Sequence, residues 1–369
     1  MVRLVESELR RMKIDYVAVG FDPEKLNGMP DAQPPFSLVS GRRNLIAMIP
    51  GTGGGRSLAL NCHLDVVPLG DEREWTRGQG EVVDNIIYGR GAYDDKSGVI
   101  ICVEVLRNLL NARLRGDVIV QFVLEDETTG NGSLLCLEAD TGADAAVIVD
   151  GTRGDTGINE HAGNIKFGVA VIGSPASVSV SHMGVNAAEM LARLILEMKD
   201  AVHALNASNC APWTRYPSPN QLSTVELLCH ETTLTVPALA SARCYATFTP
   251  PHCVASFMGM IESAGASFAA RHDLTRGPVF DWSGFKADPV KSASAELEAA
   301  LQRAAGTQID FGPSTGTSDM RHFVAREIPC VLFGPGMGRN PHRADECYHL
   351  DSLPRMVQIL SAVAREWCA

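Results

Sequence analysis

Five short segments hold the residues best suited to chemistry: NCHLDVVP (61–68), YGRGAYDDKSG (88–98), LEDETTGNGS (124–133), VIVDGT (147–152) and NPHRADE (340–346). Together they supply two imidazoles, His63 and His342, and three carboxylates, Asp94, Glu127 and Asp150. Imidazole nitrogen mixed with carboxylate oxygen suits borderline cations such as Zn²⁺, Mn²⁺ or Co²⁺. Such a set can hold two ions when one carboxylate bridges them, at the separation of about 3.5–4 Å found in two-metal hydrolases. Asp65 lies two residues from His63 and can accept its other ring N–H, which would hold the ring in its ligating tautomer. Taken singly, each of these residues reads as a polar group satisfied within the fold. Asp65 and Glu346 read equally well as surface or capping acids. Their weight comes from occurring together, in one structural setting.

That setting is the end of a strand. Residues 58–62 form a short apolar run that stops at His63, residues 118–124 (VIVQFVL) run into the acids at 125–127, and residues 145–149 stop at Asp150. Residues 98–114 carry apolar side chains at helical spacing, as do residues 2–12 in an amphipathic pattern. Strand, helix and strand in this order predict an α/β fold, a mostly parallel sheet flanked by helices. Active-site groups of such sheets gather beyond the carboxyl ends of the strands. From about Asn164 the texture changes, with an alternating strand at 165–172, strand-like runs at 224–228 and 240–248, and helices near 187–199 and 254–270. This predicts a smaller α+β domain over 164–280, inserted between a first catalytic part (1–163) and a second (281–369). The second part holds a helix near 292–304, a strand at 329–333, a Gly/Pro loop leading to His342 and a final helix.

Composition narrows the function classes. A chain of 369 residues that is 45% hydrophobic can build a large core in two domains. Its net charge of −11 and the lack of any Lys/Arg-rich run argue against a nucleic-acid partner. Apolar stretches are too short to span a membrane, and the start, MVRLVESELRRMK, is charged rather than signal-like, so a cytoplasmic location and no membrane partner are expected. The ten cysteines include no CxxC pair and read as buried small hydrophobes in a reducing compartment, none with a function.

The five segments resemble, in order and content, those of the co-catalytic dinuclear metallopeptidase and deacylase family. That family includes acetylornithine deacetylase, succinyl-diaminopimelate desuccinylase, aminoacylase and glutamate carboxypeptidase. The similarity runs from about Arg42 to the C-terminus. It implies that His63 and Asp150 serve one metal, Glu127 and His342 the other, and that Asp94 bridges both, often through a cis peptide to the next residue, here Asp95. Glu346 stands behind His342 in the family's H-x-x-x-E pattern. The acid before the Glu127 position is the family's general base, which takes a proton from the metal-bridging water and passes it to the leaving nitrogen. The family places Glu there; this chain has Asp126, one methylene shorter. Glu125 is the neighbouring alternative, but adjacent side chains of a strand face opposite ways, which favours Asp126. Asp126, with Asp65 beside it, is therefore the expected catalytic pair.

The inserted domain departs from the family pattern. Ser177 stands where relatives carry a His that reaches a catalytic site, and His182, five residues later, is no obvious replacement. The family's N-x-x-P reads Leu234-Thr235-Val236-Pro237, and the expected Arg is Thr247. An oxyanion donor is worth about 10²–10³ in rate, so its loss points to an unusual substrate or to other donors. The neutral replacements fit a flatter, less zwitterionic molecule, aromatic or otherwise non-peptide. The segment GPSTGTSDMRHF (312–323) resembles a family loop that binds a substrate carboxylate, with Arg321 and Thr317 as the binding residues. The same segment also reads as a helix N-terminus capped by Ser318. Gly334 and Gly336 are expected to line the pocket.

These features predict a hydrolase that uses two divalent ions, zinc first with manganese or cobalt as alternatives, to cleave a C–N bond of a small carboxylate-bearing molecule. An aminohydrolase that releases ammonia, and a catalytically silent metal-binding protein, are the competing readings. By resemblance the chain forms a homodimer or higher homo-oligomer. Relatives also carry a further stretch of helix and loop ahead of the segment that begins here.

Overall fold

The computed structural model describes residues 1–34, 41–139, 142–229 and 234–369. The chain divides into two compact units: Met1–Glu160 with Lys291–Gly312 and Ser318–Ala369, and His161–Val290 with Pro313–Thr317.

The centre of the first unit is built from the apolar runs. Leu58–His63 pairs in parallel with Val118–Val123 on one side and Ala145–Ile148 on the other, and Cys330–Leu332 extends the parallel set. All four strands are buried throughout, as strands covered on both faces must be, which is why their sequences are continuous rather than alternating. Two buried amides interrupt the apolar run and satisfy one another: Asn61 Nδ2 donates to Gln121 Oε1 at 3.0 Å and to Ser133 Oγ at 2.9 Å. Arg43–Ile49 and Tyr16–Gly20 add antiparallel strands at one side, and Thr156–His161 continues the nine-stranded sheet at the other. Register puts His63 opposite Val123 and Asn61 opposite Ile148. The segments after these strands therefore leave the sheet at one edge, carrying the acids with them.

The helix predicted over 98–114 spans Lys96–Leu109, started by Asp95, whose Oδ1 accepts the Gly98 N–H at 3.1 Å. It buries Val99, Val105 and Leu106 in the same core as Leu60, Phe122 and the helix Ser352–Trp367. A second sheet in this unit escaped the sequence reading. Val82–Val83, Ile86–Tyr88, Cys347–His349 and Gly338–Arg339 form four short antiparallel strands that lay the 340–346 loop beside the 89–94 loop. Strands of two or three residues carry no readable period.

Among its described residues, the second unit holds a five-stranded antiparallel sheet with Gly163–Ile172 at its middle. The inward residues Ile165, Phe167, Val169 and Val171 alternate and pack with the helices Ala187–Ala204 and Val254–Arg271. Asn186 caps the first helix by accepting the N–H groups of Ala188 and Glu189. At the sheet's edge, Gln221–Cys229 leaves Val225, Leu227 and Leu228 exposed.

One expectation from composition needs correction. Of the ten unpaired cysteines, Cys210, Cys229 and Cys253 are exposed, on a loop, at an edge-strand end and at a helix start. Composition cannot separate these surface positions from the seven buried ones. Among the described residues, no helix is long and apolar enough to cross a membrane.

Gly98 ties helix to sheet, since a Cβ there would lie 2.1 Å from Asp95 Oδ1 and 2.4 Å from the Val149 carbonyl oxygen. Gly98→Ala is expected to cost about 1–3 kcal/mol through overpacking. Urea unfolding measures it, and an unchanged midpoint would contradict the close approach.

Candidate metal centre

The five ligand candidates converge at the sheet edge of the first unit. His63 ends its strand almost fully buried, with Nε2 2.8 Å from Asp94 Oδ1. His342 enters from the loop before Cys347–His349, with Nε2 2.9 Å from Asp94 Oδ2 and 2.9 Å from Glu127 Oε2. Asp94 thus offers one oxygen to each imidazole, as a bridging carboxylate would. The peptide from Asp94 to Asp95 is cis. Potential ligand atoms of His63, Asp94 and Glu127 form one group within 4.8 Å, and those of His63, Asp95 and Asp150 form another.

Asp65 acts differently from the sequence reading. His63 Nδ1 faces the Asp65 main-chain carbonyl at 3.0 Å, while the Asp65 carboxylate is 3.7 Å away. The tautomer is set by main chain, because the turn after the strand brings the carbonyl round first. The Asp65 carboxylate instead accepts the Glu127 N–H at 3.4 Å.

Glu125 is fully committed elsewhere. It is buried with a left-handed φ of 71°, pairs with Arg42 at 2.6 Å and accepts from Thr129 Oγ1 at 2.6 Å. Asp126 is left beside the cluster, where burial and the nearby Asp319 carboxylate push its carboxyl well above the usual range, against the pull of His63. Burial and Asp94 likewise raise Asp150 to about 7. Burial would raise Asp94 too, but hydrogen bonds to His342 and His63 outweigh it and hold that carboxyl below the ordinary range. His342 is raised to about 10 by Asp94 and Glu127. Burial opposes the charged form of His63, yet Asp126, Asp65 and Asp94 carry it well above the ordinary histidine value.

These donors fit divalent cations. Carboxylates crowd together, both imidazoles aim at one of them, and Glu127 Oε1 is buried with no hydrogen-bond partner among the described residues. Such an arrangement is costly unless positive charge occupies its centre.

Sequence reasoning named Glu346 behind His342 and Asp95 after Asp94 but not the contacts by which they hold the candidate ligands. Asp95 is completely buried; its Oδ2 accepts the His63 N–H at 3.2 Å while Oδ1 starts the helix. Glu346 is also completely buried and accepts hydrogen bonds from the 90–94 loop. The only sequence signal for either was adjacency to a ligand motif.

The remaining expected site residues are placed as follows. Arg321 is held by the carbonyls of Thr129 (2.6 Å) and Ser318 (3.2 Å), with Asp319 Oδ1 at 3.9 Å. Thr317 belongs to the second unit, where its hydroxyl meets Asn164 Nδ2 and the Ala162 carbonyl. Gly334 and Gly336 have a packing reason for being glycine: both have positive φ, and a Cβ would lie 2.9 Å from Val149 Cγ1 or 2.8 Å from Ser352 Cβ. In the second unit, Ser177 and Leu234 are exposed and neighbours, since Ser177 bridges to Thr235 and the Val178 N–H donates to the Leu234 carbonyl. Thr247 is buried and donates to Asn164 Oδ1 at 3.1 Å. A cleft of about 480 Å³ lies next to His342, between the 68–74 and 340–345 loops.

The chain matches Peptidase family M20/M25/M40 over residues 59–366 and belongs to that family. It is similar to a succinyl-diaminopimelate desuccinylase of Cereibacter sphaeroides, with 27% identity over 342 residues, 89% of this chain and 88% of that protein. It is similar to an N-formyl-4-amino-5-aminomethyl-2-methylpyrimidine deformylase of Halalkalibacterium halodurans, with 24% identity over 363 residues, 88% of this chain and 83% of that protein. Its fold resembles a dinuclear metal binding peptidase of the M20 family from Bacillus subtilis, at TM-score 0.67 and 16% identity, covering 99% of this chain and 91% of that one. The chain is thus a hydrolase of C–N bonds from a family that binds divalent metal, with the α/β architecture expected of it.

The raised imidazoles make metal loading a proton-releasing event. A ligating imidazole must be neutral, whereas His342, at about 10, is protonated at pH 7 without metal. Loading at pH 7 should release at least one proton per chain, and apparent affinity should rise as pH climbs toward 10. Titration calorimetry of Zn²⁺ in buffers of different ionisation enthalpy reads the count; no buffer dependence would refute it.

Proposed function

We propose that this protein removes a small acyl group from the nitrogen of a small carboxylate-bearing molecule with a flat, non-peptide or aromatic portion. The observation that carries the reading is Asp94, with one oxygen on each of two imidazoles and Asp126 beside it. His63, Asp94 and Asp150 would hold one ion, and Asp94, Glu127 and His342 the other, zinc being the first choice for this nitrogen and oxygen set. When bound, the ions supply Lewis-acid polarisation of the scissile carbonyl and lower the pKa of the attacking water.

The chain's own residues do the rest. Asp126 takes a proton as the water oxygen bonds to the carbonyl carbon. Its raised affinity for protons lets it keep that proton until the C–N bond breaks, then deliver it to the leaving nitrogen. Asp65 and Asp95 hold His63 from its ring and its main chain. Arg321, anchored at Thr129 and Ser318, is the candidate for the substrate carboxylate.

Neutral Ser177, Leu234 and Thr247, where relatives carry His, Asn and Arg, support a less charged substrate. One relative's name joins a formyl group to a pyrimidine, which agrees with that preference. The exposed apolar edge strand Gln221–Cys229 supports pairing of two copies through the second unit. Ten unpaired cysteines favour a reducing, cytoplasmic setting.

Zn²⁺-loaded protein should release amine from at least one member of a panel of N-formyl, N-acetyl and N-succinyl compounds without forming ammonia; ammonia from a primary-amine group would favour the aminohydrolase reading instead. On the active substrate, Asp126→Asn should lower kcat by about 10²–10⁴-fold with both ions retained. Retained turnover would remove Asp126 from the base role. Arg321→Lys should raise KM at least about tenfold on carboxylate-bearing substrates, because a bidentate contact is lost. A fall in thermal midpoint with KM unchanged would assign Arg321 to structure alone.

A further inference from the structure

Glu346 is completely buried, and each of its oxygens accepts two hydrogen bonds. Oε1 takes the N–H groups of Tyr93 and Asp94, both at 3.0 Å. Oε2 takes the N–H of Gly91 at 3.0 Å and Arg90 Nη1 at 2.6 Å. The main chain repeats the tie, since the Gly89 N–H donates to the Glu346 carbonyl at 2.9 Å.

Arg90, itself buried, extends the connection in two directions. Its Nη1 also donates to the Arg343 carbonyl and its Nε to the Pro68 carbonyl, each at 3.3 Å. Arg343 follows His342 and Pro68 closes the segment that begins at His63. One buried ion pair therefore ties together the three loops that carry His63, Asp94 and His342.

We propose that Glu346, with Arg90, is a positioning residue for the metal centre: it fixes the Asp94 main chain and sets the spacing between Asp94 and His342. This rests on reading Asp94, Glu127 and His342 as ligands. The helix-capping role that sequence allows is not the one seen, because the three accepted N–H groups belong to the cis-peptide loop rather than to a helix start. The chemistry demands a carboxylate. Two oxygens meet four donors, so an amide of the same shape would turn its NH₂ toward N–H donors on one side. A shorter Asp would withdraw from all four. Either change frees the Asp94 main chain, and with it the carboxylate shared by the two imidazoles.

Glu346→Gln and Arg90→Lys test this by titration with Zn²⁺ and Co²⁺ alone, so no substrate is needed. Glu346→Gln should weaken the more loosely held ion by about 10–100-fold, the range for groups that orient metal ligands. It should also shift the visible absorption of the Co²⁺-loaded protein. Arg90→Lys keeps a cation opposite Glu346 but loses the fork to Arg343 and Pro68, so a smaller loss in the same direction is expected. If Glu346→Gln does not fold, Arg90→Lys decides by the same two readouts. A lowered thermal midpoint with wild-type affinity and spectrum would make the pair merely structural and overturn the proposal. Failure of the wild-type protein to bind either ion would instead overturn the ligand reading on which it rests.

Discussion

Everything in the first unit answers to one electrostatic demand: several carboxylates must stand close enough to share positive charge without pushing the fold apart. Asp94 is where the demand is most acute, with an imidazole on each oxygen. The surrounding acids divide the burden unequally. Asp94 stays ionised despite burial, while Asp126 and Asp150 are driven toward their protonated forms. Environment alone thereby gives groups of identical chemistry opposite proton affinities.

The parallel sheet makes this crowding possible. In-register pairing of the His63 strand with its neighbours delivers the histidine, the 125–127 acids and Asp150 to a single edge. One main-chain carbonyl and two buried carboxylates then hold them: the Asp65 carbonyl on the ring of His63, the Asp95 carboxylate on its N–H, and the Glu346 carboxylate on the loop of Asp94. Glu125 shows the same economy, spending its charge on Arg42 and its second oxygen on Thr129 to shape the turn that presents Asp126.

Much of this was legible in the sequence where a physical signal was long or repeated. Continuous apolar runs at 58–62, 118–124 and 145–149 marked buried strands, and alternation at 165–172 marked a half-covered one. The small sheet around 82–88 and 338–349 was not legible, because its strands are too short to show a period. Nor was the inversion at Asp65, where carbonyl and carboxylate compete for one ring nitrogen and only the turn geometry decides. Glu346 could be read behind His342 or equally as a surface or capping acid, because the Arg90 and Gly91 that engage it lie far away in the chain. The exposed Cys210, Cys229 and Cys253 were hidden for a simpler reason: residue type alone says little about where a small side chain ends up.

The loop of His342 lies far along the chain from the other donors of the site. The other donors lie within 63–150, but the imidazole opposite Glu127 and the carboxylate beneath Asp94 both come from the segment 342–346. Among the described residues, the short strands that seat that segment depend on contacts of very large sequence separation. Closing the donor set therefore depends on the seating of the 342–346 segment as well as on the parallel sheet.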